Sequence, residues 1–263
     1  MFNNILRKSD HSLFLQSLLL FQSLLCNRLV MPNSPTIVHL MQHNTLPEEN
    51  PLVGIKDVTL LNDKQISRVY KMIRAIPRLN PKKTLLFVCD MQEKFSKTNK
   101  FFPEITQVAK RVIDTAKILK IPIVVTEHYP KGLGRTVPEL GLEESIPRYA
   151  KTQFSMCVPD VVPVLKDQES VILVGLEAHV CILHTTYALI EKGLDVHVVA
   201  DAVTARTFVD RKFGFKQLER VGAVLTTSEC VILSLLKDAA HPKFKEVQKL
   251  IMTEPPNTGL LDI

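Results

Sequence analysis

Cys181 stands where the apolar run SVILV (170–174) gives way, across Glu177, Ala178, His179 and Val180, to a segment with the pattern of a helix. The unpaired N–H groups of a helix start favour negative charge. A thiol held there can have a depressed pKa and a raised reactivity. Asp90 closes a second apolar run, TLLFVC (84–89). A carboxylate beside a thiol can take its proton, which is general-base activation of a nucleophile. Each residue also has an ordinary reading, since a lone cysteine is commonly an inert core residue and a strand-final aspartate commonly caps a turn or helix. Cys230 also opens a helical segment and is the internal competitor. Cys89 lies inside a strand, Cys26 in the N-terminal part, and Cys157 has no evident base in sequence. His179 reads as a turn residue. His184, three positions into the helix, reads as a packing residue, and Lys151 taken alone reads as a solvated surface charge.

These residues need a frame, and the second half of the chain supplies one. Short apolar runs at Thr84–Asp90, Ile121–Glu127, Val171–Leu176, Val196–Ala200 and Ala223–Thr227 read as strands, and Arg148–Thr152 can add a further short one. Helical patterns occupy Pro103–Lys120 and about 181–192, 208–220, 230–237 and 243–252, while Tyr129–Gly134 reads as a turn-rich loop. Strands alternating with helices imply an α/β fold, a three-layer α/β/α sandwich on a six-stranded parallel sheet. Ligands bind such sheets beyond the carboxyl ends of the strands, which is where Asp90 and Cys181 fall and can approach each other. No G-x-G-x-x-G follows a strand and no P-loop motif occurs, so the dinucleotide and nucleotide readings lose their motifs.

Composition narrows the class. The five cysteines are scattered, with no zinc-type spacing, which suits free thiols in a reducing compartment. The net charge of +6 arises entirely within residues 56–83, where eight Lys/Arg face two Asp; residues 84–263 carry 22 basic and 22 acidic side chains. That balance is no nucleic-acid footprint. Residues 1–55 read as a poorly structured or targeting extension with a Pro-rich linker, residues 56–80 as a basic amphipathic helix leading into the domain, and residues 81–263 as the domain itself. The Leu/Phe-rich stretch 12–30 leaves a transit peptide, a membrane anchor and an untargeted extension open. The expected location is cytoplasmic, or mitochondrial if the extension is a transit peptide. Membrane contact is expected only if residues 12–30 or the basic helix provide it.

Three segments together carry a resemblance. LFVCDMQEKF (86–95), AKTQFS (150–155) and GLEAHVC (175–181) resemble, in order and spacing, the signature segments of the isochorismatase-like cysteine hydrolases. PIVVTEHYPKGLG (122–134) and HPKFKE (241–246) resemble, more narrowly, the animal isochorismatase domain-containing proteins. The resemblance covers roughly residues 76–261. It implies a triad of Asp90, Lys151 and Cys181, in which Asp90 moves the thiol proton and Lys151 steadies the anionic pair. It also implies a cis peptide between Leu176 and Glu177, with the Glu177 and Cys181 N–H groups aimed at a developing oxyanion. The substrate so implied is a small molecule, cleaved as an amide or as an isochorismate-like vinyl ether, by a homo-oligomer without a cofactor. Metal-using relatives carry an Asp-x-His motif with a further histidine, whereas residues 97–126 contain no histidine and His128 reads as a loop residue. No metal is therefore expected. Phe95 reads equally as a pocket wall or a core residue. Two rivals stand outside hydrolysis. One is a binding or scaffold protein that retains the fold. The other is a thiol redox protein pairing Cys181 with Cys89, although no CxxC is present.

Overall fold

Leu85, Phe87 and Cys89 alternate with Leu86 and Val88 along one short strand, and all five are buried. Because successive side chains of a strand point to opposite faces, such a run needs a helical layer on each side. A computed structural model describes residues 78–260. The readings of the N-terminal extension, the linker and most of the basic helix lie outside the described residues.

The strands are β1 (Thr84–Cys89), β2 (Ile123–His128), β3 (Arg148–Lys151), β4 (Ser170–Gly175), β5 (Asp195–Val203) and β6 (Val224–Thr226). They form one sheet in the order β3-β2-β1-β4-β5-β6, and every neighbouring pair is parallel. The chain winds outward from β1 through β2 to the edge strand β3, then returns to lay β4 against β1. The topological switch therefore lies between β1 and β4, whose register runs from Thr84↔Ser170 to Cys89↔Gly175. A crevice at the carboxyl ends follows from that reversal.

Helices α1 (Phe102–Leu119), α2 (Cys181–Glu191), α3 (Phe208–Arg220), α4 (Ser228–Leu236) and α5 (Phe244–Ile251) complete the domain. One core layer joins Leu85, Phe87 and Cys89 to Cys181, Ile182, Phe215 and Leu218, from α2 and α3. The opposite layer joins Leu86 and Val88 to Ile105, Val112, Val231 and Leu235, from α1 and α4. Leu79, before β1, already packs in that second layer. The expected three-layer sandwich is the observed one. Among the described residues no helix is long and apolar enough to cross a membrane.

Boundaries move where polar residues have local work. α4 begins at Ser228, two residues before the expected start, because the Thr227 hydroxyl accepts a hydrogen bond from the Cys230 N–H and caps the helix. β5 runs three residues past Ala200, because buried Asp201 is satisfied by Ser228 and does not end the strand. The loop after β2 closes a single helical turn, Pro130–Leu133. Gly175 has φ +116°, and a Cβ there would run into the Cys89 carbonyl oxygen, so the close approach of β4 to β1 beside the crevice requires glycine.

Candidate active site

Asp90 leaves β1 with φ +50° and is fully buried. Its Oδ1 accepts from the Thr126 hydroxyl at 2.7 Å, so β2 orients the carboxylate. Its Oδ2 accepts from Lys151 Nζ at 2.6 Å and from the Cys89 thiol at 3.6 Å. Lys151 ends the edge strand β3, two strands away from β1, and its long side chain reaches back across β2. It is not the solvated charge that its local sequence suggests. The ammonium donates to Asp90, to Gln153 O and Phe154 O at 3.1 Å each, and lies 3.6 Å from Cys181 Sγ. An ammonium has three N–H donors, so these groups use all of its capacity. Burial alone would push the Lys151 pKa down, but the facing Cys89, Asp90 and Cys181 outweigh that and hold it above its ordinary value.

Cys181 is the first residue of α2 and is nearly buried. The peptide between Leu176 and Glu177 is cis. The turn that follows is tied down by the Ala178 N–H on Thr204 O and by the Glu177 carboxylate, which accepts from the Arg206 N–H. Among the described residues, neither the Glu177 N–H nor the Cys181 N–H donates to a protein acceptor. Two free N–H groups at a helix start beside a thiol can receive an oxyanion.

The structure brings Asp90, Lys151 and Cys181 together and adds two residues that the sequence reading left aside. His128 ends β2 and is not a free loop residue. Its Nδ1 is 3.5 Å from Lys151 Nζ, and its ring stacks on that of Phe154 at 5.9 Å. Burial and then the Lys151 charge lower its pKa. Its position at a strand's carboxyl end was the available signal. Gln92 is buried and holds His128 by its backbone: Oε1 accepts from His128 N at 2.6 Å, and Nε2 donates to His128 O at 3.0 Å and to Gly134 O at 2.8 Å. Nothing local marked it. Phe95 packs, partly buried, against the core layer of Leu86 and Val88. His184 faces outward along α2 and meets the Phe154 and Tyr187 rings. His179 stays in the turn.

Asp90, His128 and Cys181 offer ligand atoms within 4.8 Å of one another, an O/N/S set of the kind zinc accepts. The Lys151 ammonium lies 2.6, 3.5 and 3.6 Å from those three groups. It already supplies positive charge to all of them, and a metal ion would have to displace it.

Comparison with known proteins gives consistent matches. The Isochorismatase domain matches residues 84–230. Isochorismatase domain-containing protein 2 of Xenopus laevis is 51% identical over 194 residues, covering 73% of this chain and 94% of that protein. Isochorismatase domain-containing protein 1 of Danio rerio is 45% identical over 192 residues, covering 72% of this chain and 68% of that protein. Among solved structures, one described as MAR1 ribonuclease from Caenorhabditis elegans superposes with a TM-score of 0.69 at 59% identity, covering 70% of this chain and 97% of that one.

Proposed function

This chain belongs to the isochorismatase family, and from that premise we propose that it hydrolyses a small molecule, an amide in the favoured case, with Cys181 as nucleophile. One observation carries the reading: a single buried ammonium sits 2.6 Å from the Asp90 carboxylate and 3.6 Å from the Cys181 sulfur, at the switch point of the sheet. That arrangement sets a cation against the sulfur and keeps the base beside it.

In this mechanism Asp90 takes the Cys181 proton as the groups draw together around substrate. The thiolate attacks the carbonyl carbon. The oxyanion that forms is received by the Glu177 and Cys181 N–H groups, an interaction for which one donor typically contributes about 10²–10³ in rate. Asp90 returns its proton to the leaving amine, and a thioester on Cys181 remains. Water, deprotonated by Asp90, then attacks the thioester and frees the thiol. Vinyl-ether cleavage is the alternative within the family, with Asp90 as the acid and no covalent step. No step calls for a cofactor or a metal.

The solved neighbour's description as a ribonuclease supports a second reading, with RNA as substrate. The charge balance of residues 84–263 and the burial of all three groups favour a small molecule instead. The family premise also carries the expectation of a homo-oligomer, which light scattering would measure.

The decisive experiment is an acyl-substrate screen with Cys181→Ala as control and an RNA substrate in parallel. A thioester adduct trapped on Cys181 of the wild type supports amide hydrolysis. Vinyl-ether turnover that survives in Cys181→Ala supports the alternative, and cleavage of RNA alone overturns the small-molecule reading. Alkylation adds a substrate-free check: Cys181 is expected to react selectively at neutral pH, and Asp90→Asn to abolish that selectivity.

A further inference from the structure

Cys89 is a buried thiol that the proposed hydrolysis does not use. Its side chain shares a core layer with Cys181, and it is closed to solvent, whereas Cys181 keeps 7% of its surface exposed. The Cys89 sulfur lies 3.6 Å from Asp90 Oδ2, the same oxygen that Lys151 contacts at 2.6 Å while lying 3.6 Å from Cys181 Sγ. One acid–base pair thus serves two thiols. Burial, followed by the neighbouring Cys181 side chain and the charge of Asp90, raises the Cys89 pKa and keeps it a protonated thiol. The two sulfurs are therefore unlike: one is reachable and faced by a cation, the other is hidden, neutral and beside a base.

We propose that Cys89 and Cys181 form a reversible, peroxide-driven disulfide that takes the nucleophile out of action and shields it from further oxidation. In the first step the Cys181 thiolate attacks one oxygen of hydrogen peroxide. The O–O bond breaks, hydroxide leaves with the electron pair, and Cys181 becomes a sulfenic acid. In the second step Asp90 takes the Cys89 proton and the Cys89 thiolate attacks the Cys181 sulfur. The S–O bond breaks, and the departing hydroxide takes the proton from Asp90 and leaves as water. Two sulfurs are each oxidised by one electron and peroxide is reduced to hydroxide and water. A small dithiol such as dithiothreitol reverses the change by thiol–disulfide exchange. Among the described residues Cys89 and Cys181 are free thiols, the form from which such a bond starts.

This inference rests on Cys181 being the activated thiol of the proposed hydrolase, and the test separates the two. The full chain is treated with hydrogen peroxide, its free thiols are blocked with iodoacetamide, and it is cleaved after Lys and Arg. The expected product joins peptide 84–94 to peptide 167–192 with the loss of two hydrogens, and dithiothreitol releases it. In Cys89→Ser the cross-link is absent and Cys181 gains two oxygens irreversibly as the sulfinic acid. The wild-type result needs no variant to fold. Recovery of wild-type Cys181 as sulfinic acid with Cys89 free, or its cross-linking to another cysteine, overturns the proposal. Untreated protein alkylated in parallel reports on the hydrolase: faster reaction at Cys181 than at Cys157 and Cys230 leaves that reading standing even when the disulfide fails. Uniformly slow alkylation defeats both.

Discussion

Asp90 and Asp201 are both carboxylates buried in the same sheet, and their surroundings differ in kind. Asp201, in β5, accepts from the Ser228 N–H at 2.8 Å and from the Ser228 hydroxyl at 2.7 Å, and so anchors the start of α4. Burial pushes its pKa up. Nearby Arg111 donates to Thr253 O, and Arg211 donates to Thr258 O and Ala200 O, binding the C-terminal segment to the domain. Burial lowers the Arg211 pKa to about 10. All these bonds end on structural groups. Around Asp90 the Thr126 hydroxyl orients the carboxylate, and the remaining contacts end on the Cys89 thiol and on an ammonium that also faces Cys181 at the switch point. A buried charge is thus weak evidence of function by itself; what its partners are otherwise needed for distinguishes a joint from a site.

The largest effect that would test this contrast is expected from Cys181→Ala. Turnover of the substrate found in the screen should fall by about 10³-fold or more, with thermal stability close to wild type. Retained turnover would place the chemistry elsewhere. Asp90→Asn comes next, because it touches both function and packing. The Cys181 alkylation rate at neutral pH should fall by about 10²–10⁴-fold. Leaving the Lys151 ammonium without its counter-charge should cost about 3–5 kcal/mol in urea unfolding. An unchanged stability would show that the pair is not the buried ion pair described.

Arg211→Met tests the other side of the comparison. Losing its bonds to Thr258 O and Ala200 O should cost about 2–4 kcal/mol while Cys181 alkylation stays unchanged. Altered alkylation would mean that the two clusters are coupled. The smallest effect is expected at His197, a β5 histidine buried in the sheet. Burial lowers its pKa below 6.5, partly offset by Asp195. The unfolded chain therefore takes up this proton first, so stability should fall as pH drops below about 6.5 and level off below the folded pKa. His197→Gln should remove that component from a series of melts across pH 5–8, and an unaltered pH dependence would assign it to other groups.

Much of the frame was legible because buried parallel strands read as continuous apolar runs. TLLFVC and SVILVG stood out on that basis alone, and the helix opening at Cys181 was visible from the pattern that follows it. Legibility failed where a polar residue was satisfied from far away. The strand Val196–Ala200 is read as stopping one residue short of Asp201, because Ser228, 27 residues on, is not apparent in one dimension. Gln92 looked unremarkable because its partners, His128 and Gly134, lie 36 and 42 residues away. Lys151 carried no local signal of burial and became a candidate only through the resemblance of the segment around it.

The sequence by itself determined which groups stand at strand ends: Asp90 after LLFVC, Cys181 at the opening of a helix, and a chain order that makes the sheet parallel. Only the tertiary structure decided how those ends meet. The return of β4 to the side of β1, and the reach of an edge-strand lysine across β2, join residues 61 and 30 positions apart around one ammonium. The same packing sets Cys89 on the Cys181 face of β1. Local periodicity dictates which face a side chain takes, but strand order dictates its neighbours, and the energy of a buried charge depends on its neighbours.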